Sequence, residues 1–369
     1  MSDGYSTWLE IDLEAIRNNI RRLRQLTKTP VMAIVKANGY GHGAVESARA
    51  AIKAGAEWCG VARFEEALAL RQAGLKCHLL VMGYTPPACL QDAIDRDISL
   101  TIYDLELGDM YPGQLPKTSQ ALNIHVKVDT GMGRLGIKPG DALKLVEQLS
   151  QTPGIKVQGF CTHFAKADES DRTSTMEQLA RFIPLVKELE HRGLRPEIVH
   201  AANSAAALQY PESRFDLVRP GIAMYGLNPS SDTPLPDGFK PALTWKARLT
   251  SIKVLPPGHM ISYGGVYTTS GEEQIGVVPV GYADGFRRVA GEQVLYQGRR
   301  VDVVGRVCMD QSMVQLSSLN DVHIGDEVIL LGSQASECIS ADEIARRWGT
   351  INYEVVCGLS NRLPRIYLG

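Results

Sequence analysis

Neither sign of charge dominates this sequence: 39 Lys and Arg stand against 41 Asp and Glu, a formal net charge of −2. That balance argues against a chain built to hold nucleic acid, which usually needs a basic face. Aromatic residues are sparse at 7%, yet 44% of the chain is hydrophobic, enough for packed cores and too much for a disordered chain. Long apolar runs are missing, and none approaches the roughly 18 residues a membrane span requires. The first residues, MSDGYSTWLE, lack the basic start and apolar stretch of a signal peptide, so a cytoplasmic location is the expectation. Cysteines are few and scattered: Cys59, Cys77, Cys89, Cys161, Cys308, Cys338 and Cys357 are odd in number and contain no C-x-x-C. That reads as reduced thiols, most of them small core residues, and not as a disulfide framework or a zinc knuckle.

What is present is an alternation of short apolar strands and amphipathic helices. At 369 residues the chain is too long for one parallel α/β barrel of about 250 and too short for two, so a barrel plus a smaller domain fits. Eight strand-like runs begin at Val31, Glu57, Cys77, Ile98, Ala121, Lys156, Glu197 and Phe215, with helical stretches such as AVESARAAIKAG and TMEQLARFIPLVKELEHRGL between them. Eight is the count that closes a (β/α)8 TIM-type barrel; an open doubly wound sheet is the competing arrangement. After the polar, Pro-rich stretch 230–239, which reads as a linker, the segments alternate with period two and are punctuated by PPG, GG and QG, as in a mainly β domain. The expected boundaries are 10–232 for the barrel and 240–369 for the β domain, with the early run 5–11 open to joining the latter. Ser340 and Glu343 form a capping-box pattern before the one helix expected there, ADEIARRWG.

Functional groups of a parallel barrel gather at the carboxyl ends of its strands, and those ends are unusual here. Lys36 closes the first apolar run beside glycines, which suits a Schiff-base amine; the competing reading is a lysine snorkelling from a strand end. Gly131, Gly133 and Gly136 reproduce G-x-G-x-x-G after a strand, but Pro139 delays the helix to Asp141, and the next strand ends in His163 where a dinucleotide site wants an acid. Arg134 in that turn looks like a clamp for carboxylate or phosphate. Asn203, Ser204 and Arg219, with Pro220-Gly221 behind it, end the last two strands. A hydroxyl at a helix start with a Gly-bearing turn is the usual barrel recipe for phosphate. Taken singly, His163 reads as a core histidine and Arg219 as a surface ion pair; their succession points to pyridoxal phosphate.

The strings VKANGYGHG, KVDTGMGRLG, CTHFAKAD, HAANSAA, RPGIAMYG, ISYGG, VGYADG, RVCMDQ and INYEV, in order across nearly the whole chain, resemble the bacterial alanine racemases. The resemblance implies a pyridoxal-phosphate barrel with a C-terminal β domain that interconverts L- and D-alanine by two bases and supplies D-alanine for cell-wall peptidoglycan. Lys36 would hold the cofactor and serve one face of the substrate Cα, and Tyr263 would serve the other. Tyr40, Ser204, Tyr353 and the backbone at Gly221 and Ile222 would hold the phosphate, with His163 and Asn203 nearby and Arg219 at the pyridine nitrogen. A phenol ionises near pH 10, so a chain Tyr263–His163–Arg219 would supply the positive charge that Tyr263 needs. Arg134 would take the cofactor's phenolic oxygen and the substrate carboxylate, oriented by Lys127 as a carbamate or by a chloride in its place. Met309 would add a backbone N–H to that carboxylate, with Cys308 and Asp310 close by. Tyr282 and Asp168 would line the access passage, whose narrowness favours a small side chain. A homodimer with sites shared between subunits is implied.

Three rivals remain. A broader amino-acid racemase, for instance for serine and alanine, would differ at the access motifs or at Tyr353. A non-catalytic pyridoxal-phosphate carrier of the same barrel type would lack the β domain. An aldolase of the same fold would need a metal site there, where only His259 and His323 occur, far apart.

Overall fold

The computed structural model describes residues 4–116 and 120–369. They form two units. One comprises Ala15–Tyr40 and Ala44–Lys240; the other comprises the described residues through Glu14, Gly41–Gly43 and Pro241–Gly369.

The chain opens with β1 (Thr7–Asp12), which belongs to the second unit. The first unit is built on parallel strands β2 (Met32–Ile34), β3 (Trp58–Val61), β4 (His78–Val81), β5 (Ile98–Ile102), β6 (Leu122–Lys127), β7 (Ile155–Cys161) and β8 (Ile198–His200), paired in sequence order. Helices intervene, among them Ala44–Lys53, Phe64–Gln72, Pro139–Ser150 and Thr173–His191. Every residue of β3 and β5 is buried, as expected of strands covered on both faces. The stretch 215–221, expected as an eighth strand, is too irregular to be one but still closes the ring. Met32 N–H donates to Val218 O at 2.8 Å and Val218 N–H to Pro30 O at 3.0 Å on one side, while Arg219 N–H donates to Ala202 O at 2.9 Å on the other. The sheet is a barrel with no open edge, which excludes the doubly wound arrangement.

One local expectation changes and another gains detail. The helix after the glycine turn starts at Pro139 itself, because a proline's fixed φ and missing N–H suit the first helical position. The 230–239 stretch does run up to the boundary between the two units, as expected of a linker, and it is anchored. Thr233 is buried and its hydroxyl donates to Asp168 O at 3.1 Å, Leu235 N–H donates to Asn228 Oδ1 at 2.9 Å, and Asn18 Nδ2 donates to Gly238 O at 2.8 Å.

In the second unit β1 pairs antiparallel with β9 (Leu243–Arg248) and parallel with Arg365–Leu368. The sheet continues from β9 through Glu327–Gln334, Gln293–Tyr296, Arg299–Val304, Ser312–Gln315 and Glu273–Val278 to Ser251–Leu255. Trp8, Leu9, Ile11, Trp245 and Phe286 fill its core. Helix Ala341–Trp348 is capped by Ser340, whose Oγ accepts from Glu343 N–H at 3.1 Å. The reciprocal half of the capping box is not made, since Arg300 and Arg347 take the Glu343 carboxylate at 2.6 and 2.7 Å. Of the seven cysteines only Cys59 and Cys161 are buried, so most are not core filler. Among the described residues no helix is long and apolar enough to cross a membrane.

Candidate active site

The barrel carries one constellation at the carboxyl ends of its strands. Lys36 lies two residues beyond β2 and opens a rare piece of backbone. Ala37, Asn38, Gly39 and Tyr40 all have positive φ, between 52° and 63°. Left-handed geometry costs about 1–2 kcal/mol per non-glycine residue, so the surroundings must impose it. They do. Ala37 N–H donates to Glu66 Oε1 at 2.6 Å, Gly39 N–H to Val35 O at 2.8 Å, and Ala44 N–H to Asn38 Oδ1 at 3.1 Å. The turn thereby places Lys36 and Tyr40 at its two ends.

Tyr40 is buried against Tyr225, with ring centroids 5.3 Å apart. A Cβ on Gly221 would come within 2.4 Å of the Tyr40 hydroxyl, so that position needs glycine for close approach. Asn203 caps the helix that Ser204 opens, accepting from Ala206 N–H at 3.0 Å. Ser204 Oγ accepts from the backbone N–H of Gly221 at 2.9 Å and of Ala223 at 3.3 Å, and Ile222 begins the short turn Ile222–Tyr225. The Tyr40 and Ser204 hydroxyls and the Gly221–Ile222 backbone, gathered at the start of a short turn, are groups that could hold a phosphate.

Arg219 is 5% exposed. Its Nη2 donates to Thr162 O at 2.8 Å and Ala201 O at 2.9 Å and lies 3.3 Å from His163 Nδ1; its Nη1 donates to His200 Nδ1 at 2.7 Å. A guanidinium only donates, so His200 must carry its proton on Nε2 and pass that hydrogen bond on to His125 Nδ1, 2.8 Å away. Gly159 admits the His125 ring, since a Cβ there would lie 2.1 Å from it. Burial, then the charges of Arg219, Lys127, Arg134 and Lys36, hold His163 well below the ordinary histidine range. Lys127 is buried, and burial lowers its pKa from the ordinary lysine range, with Arg219 and Arg134 adding to the effect. Asp129, the nearby acid, spends its carboxylate on the N–H groups of Gly131, Met132 and Gly133. The glycine turn is therefore wrapped around Asp129 with Arg134 exposed beside it, and no helix opens to receive a dinucleotide. So many cations around one half-buried imidazole call for an anion. A phosphate cradle, an amine, a clamp for oxygen anions and a fixed guanidinium fit pyridoxal phosphate. Asp168 sits beyond His163, its carbonyl held by Ser230 and Thr233.

The β unit carries a second constellation. Tyr263 is 69% exposed at the tip of the turn Tyr263–Gly265. Before it, Ser262 sits at φ 64°, ψ −176°, a region almost reserved for glycine and worth about 1–3 kcal/mol of strain. The Ser262 hydroxyl, donating to Arg306 O at 2.6 Å, holds it there and lies 3.5 Å from Cys308 Sγ. The loop Cys308–Asp310 is stitched to Tyr282: Tyr282 N–H donates to Cys308 O at 3.1 Å and Ala283 N–H to Met309 O at 3.0 Å. Tyr282 and Met309 are exposed, and Tyr353 is half-buried in the helix Asn352–Cys357. Among the described residues no group of three His, Cys, Asp or Glu could hold a metal ion.

Family models for the alanine racemase N-terminal and C-terminal domains match residues 11–229 and 242–367. The chain belongs to the alanine racemase family. It is 47% identical over 366 residues to the alanine racemase of Symbiobacterium thermophilum, covering 98% of this chain and 97% of that one, and 43% identical over 365 residues to that of Desulfovibrio desulfuricans, covering 98% of each. The alanine racemase of E. faecalis superposes with a TM-score of 0.94 at 40% identity over 99% of both chains. That of Bacillus anthracis with bound L-Ala-P gives 0.92 at 39%, over 99% of this chain and 95% of that one. The chain is thus an enzyme of the alanine racemase family with a barrel followed by a mainly β domain.

Residues without a motif support this constellation: Glu66 grips the turn after Lys36, and His125 and His200 back Arg219. The buried histidines also bear on stability. Burial pushes His125 down to about 3, and His200 and His163 are likewise depressed. The folded state keeps them neutral while the unfolded chain takes protons as pH falls through about 6.5, so stability is full above that pH and is lost below it. His125 alone should remove about 2 kcal/mol between pH 8 and pH 5. Urea unfolding at both pH values should show that loss, and His125→Gln should shrink it; an unchanged difference would remove His125 as its source.

Proposed function

We propose that this chain interconverts L-alanine and D-alanine with pyridoxal phosphate, using Lys36 and Tyr263 on opposite faces of the substrate Cα. The observation that carries the reading is the Lys36–Tyr40 turn, a strained backbone that presents an amine and a hydroxyl beside a phosphate cradle and a buried arginine. When bound, the cofactor supplies an electron sink for the charge left as Cα loses its proton. Lys36 carries the cofactor and removes or returns the proton on one face. Tyr263 does so on the other, since one base reaching both faces would have to cross the ring plane. Arg219 supplies positive charge to Tyr263 through His163, which stays neutral between them. Arg219, which keeps its proton, would stand at the cofactor's ring nitrogen and leave that nitrogen unprotonated, which would temper the sink and limit side reactions.

Tyr40, Ser204, Tyr353, Gly221 and Ile222 hold the phosphate, with Asn203 fixing the Ser204 helix. Arg134 and the Met309 N–H hold the substrate carboxylate. The depressed pKa of Lys127 leaves more neutral amine, the form that combines with CO2 to give a carbamate and a released proton. The carbamate then orients Arg134, as a chloride would in its place. Tyr282 and Asp168, with Cys308 and Asp310 near the substrate, restrict access to small amino acids. The product supports peptidoglycan synthesis in the cytoplasm.

The test is a purified protein that is yellow, loses that colour on borohydride reduction and interconverts the alanine enantiomers. A colourless protein that added cofactor does not change would refute the reading. Turnover of a panel of L-amino acids separates an alanine enzyme from a broader racemase. The enzyme works as a homodimer in which Tyr263 serves the partner's Lys36. Mixing inactive Lys36→Ala and Tyr263→Phe chains should then restore about one quarter of wild-type activity, because half the dimers are mixed and each has one intact site. No recovery, with mixed dimers shown to form, would place both bases on one chain.

A further inference from the structure

The Met309 N–H is presented by a peptide whose other edge is fixed. Tyr282 N–H holds the Cys308 carbonyl at 3.1 Å, and in a trans peptide the Met309 N–H points the opposite way. Gly281 makes this docking possible, since a Cβ there would lie 2.2 Å from Cys308 O and 2.3 Å from Met309 O. What fixes the Tyr282 turn itself is Asp284, buried with 2% exposure, whose Oδ2 accepts from Gly281 N–H at 2.9 Å. Its other oxygen is held by Arg362, which donates from Nε at 2.6 Å. The same guanidinium reaches Asp310 Oδ1 from Nη2 at 2.7 Å. One planar fork therefore ties the Tyr282 turn to the residue next to Met309. Lysine, whose N–H groups all radiate from one nitrogen, does not span the two carboxylates as Nε and Nη2 of the fork do.

The fork has an electrostatic role as well. Asp310 stands beside the N–H assigned to the substrate carboxylate, and two like charges at that spacing repel. Arg362 screens Asp310 and holds its carboxylate in an ion pair, its single charge shared with Asp284.

We infer that Arg362 is a positioning residue for carboxylate recognition, setting the Met309 N–H and screening the Asp310 charge without touching substrate. This rests on the racemase reading above. The readouts are KM and kcat for alanine with the cofactor-loaded enzyme, and the inhibition constant of propionate, which is alanine without its amine and reports binding where KM need not. Arg362→Gln should raise KM and the propionate constant together by about tenfold, with kcat within about threefold of wild type and the cofactor spectrum unchanged. Arg362→Lys, which keeps the charge for the buried Asp284, should fall between. Adding Asp310→Asn to Arg362→Gln should recover part of the lost propionate affinity, which loss of packing alone would not do. A propionate constant within about twofold of wild type in both Arg362 variants, or no recovery in the double variant, overturns the inference while an active wild type leaves the racemase reading standing. A wild type with no racemase turnover overturns both.

Discussion

Replacing Lys36 by Ala is expected to lower alanine racemisation by about 10⁴-fold or more, the upper end of what one acid–base group supplies, because the cofactor's attachment is lost with it. The chain should still fold. Lys36 is only half-buried, and the left-handed turn that follows it is held by hydrogen bonds involving Glu66, Val35 and Ala44. Cofactor should still enter, since the phosphate cradle at Ser204 and Gly221 is intact, but it should leave on gel filtration, and borohydride should no longer fix the yellow chromophore to the protein. Turnover above about one tenth of wild type would contradict the assignment of Lys36 as both anchor and base.

Tyr263→Phe removes one oxygen from an exposed side chain and should leave stability within about 0.5 kcal/mol of wild type. Racemisation should fall by about 10²–10⁴-fold, and cofactor affinity should stay within about threefold, because Tyr263 is assigned no contact with the phosphate cradle. The loss must be the same from either enantiomer. Mirror-image substrates have equal free energies, so kcat/KM for the two directions stays equal whatever the mutation does to the barrier. A variant that binds cofactor normally and racemises within a few-fold of wild type would remove Tyr263 from the chemistry.

The fold was legible because its signals are periodic. Continuous apolar runs alternating with helical stripes mark a buried parallel sheet, and seven of the eight expected strands are present as strands. The eighth, at 215–221, is bent because Pro220 and Gly221 interrupt a regular ladder while Val218 and Arg219 still bond to both neighbours. The Pro-rich stretch 230–239 was legible as the join between the two domains, but turn chemistry looks the same whether such a loop is free or anchored, so its anchoring through Thr233 and Leu235 was not. At the site, Lys36 stood out because a charged residue ended an apolar run. Arg219 acquired meaning only through its succession with Lys36, Arg134, His163 and Ser204. Tyr263 was invisible to local reasoning, being an ordinary aromatic next to a turn, and entered through the family resemblance. Ser262 shows why: the strain that aims Tyr263 lies in φ and ψ, which a serine codon does not advertise. His125, His200 and Arg362 stayed hidden for another reason. Each acts through a second side chain, and the pairs Arg362–Asp284 and Arg219–His125 are 78 and 94 positions apart in sequence.

The central claim is that two residues work on opposite faces of one carbon, and equal racemisation losses cannot test it. Solvent exchange of the α-hydrogen can. Tyr263→Phe loaded with pyridoxal phosphate should be given L-alanine and D-alanine separately in D2O, and deuterium incorporation followed by NMR. The enantiomer whose α-hydrogen faces Lys36 should keep exchanging, and the other should exchange at least about a hundredfold more slowly. Exchange of both enantiomers at rates within about twofold of each other, or of neither while the cofactor remains bound, would contradict the two-base account.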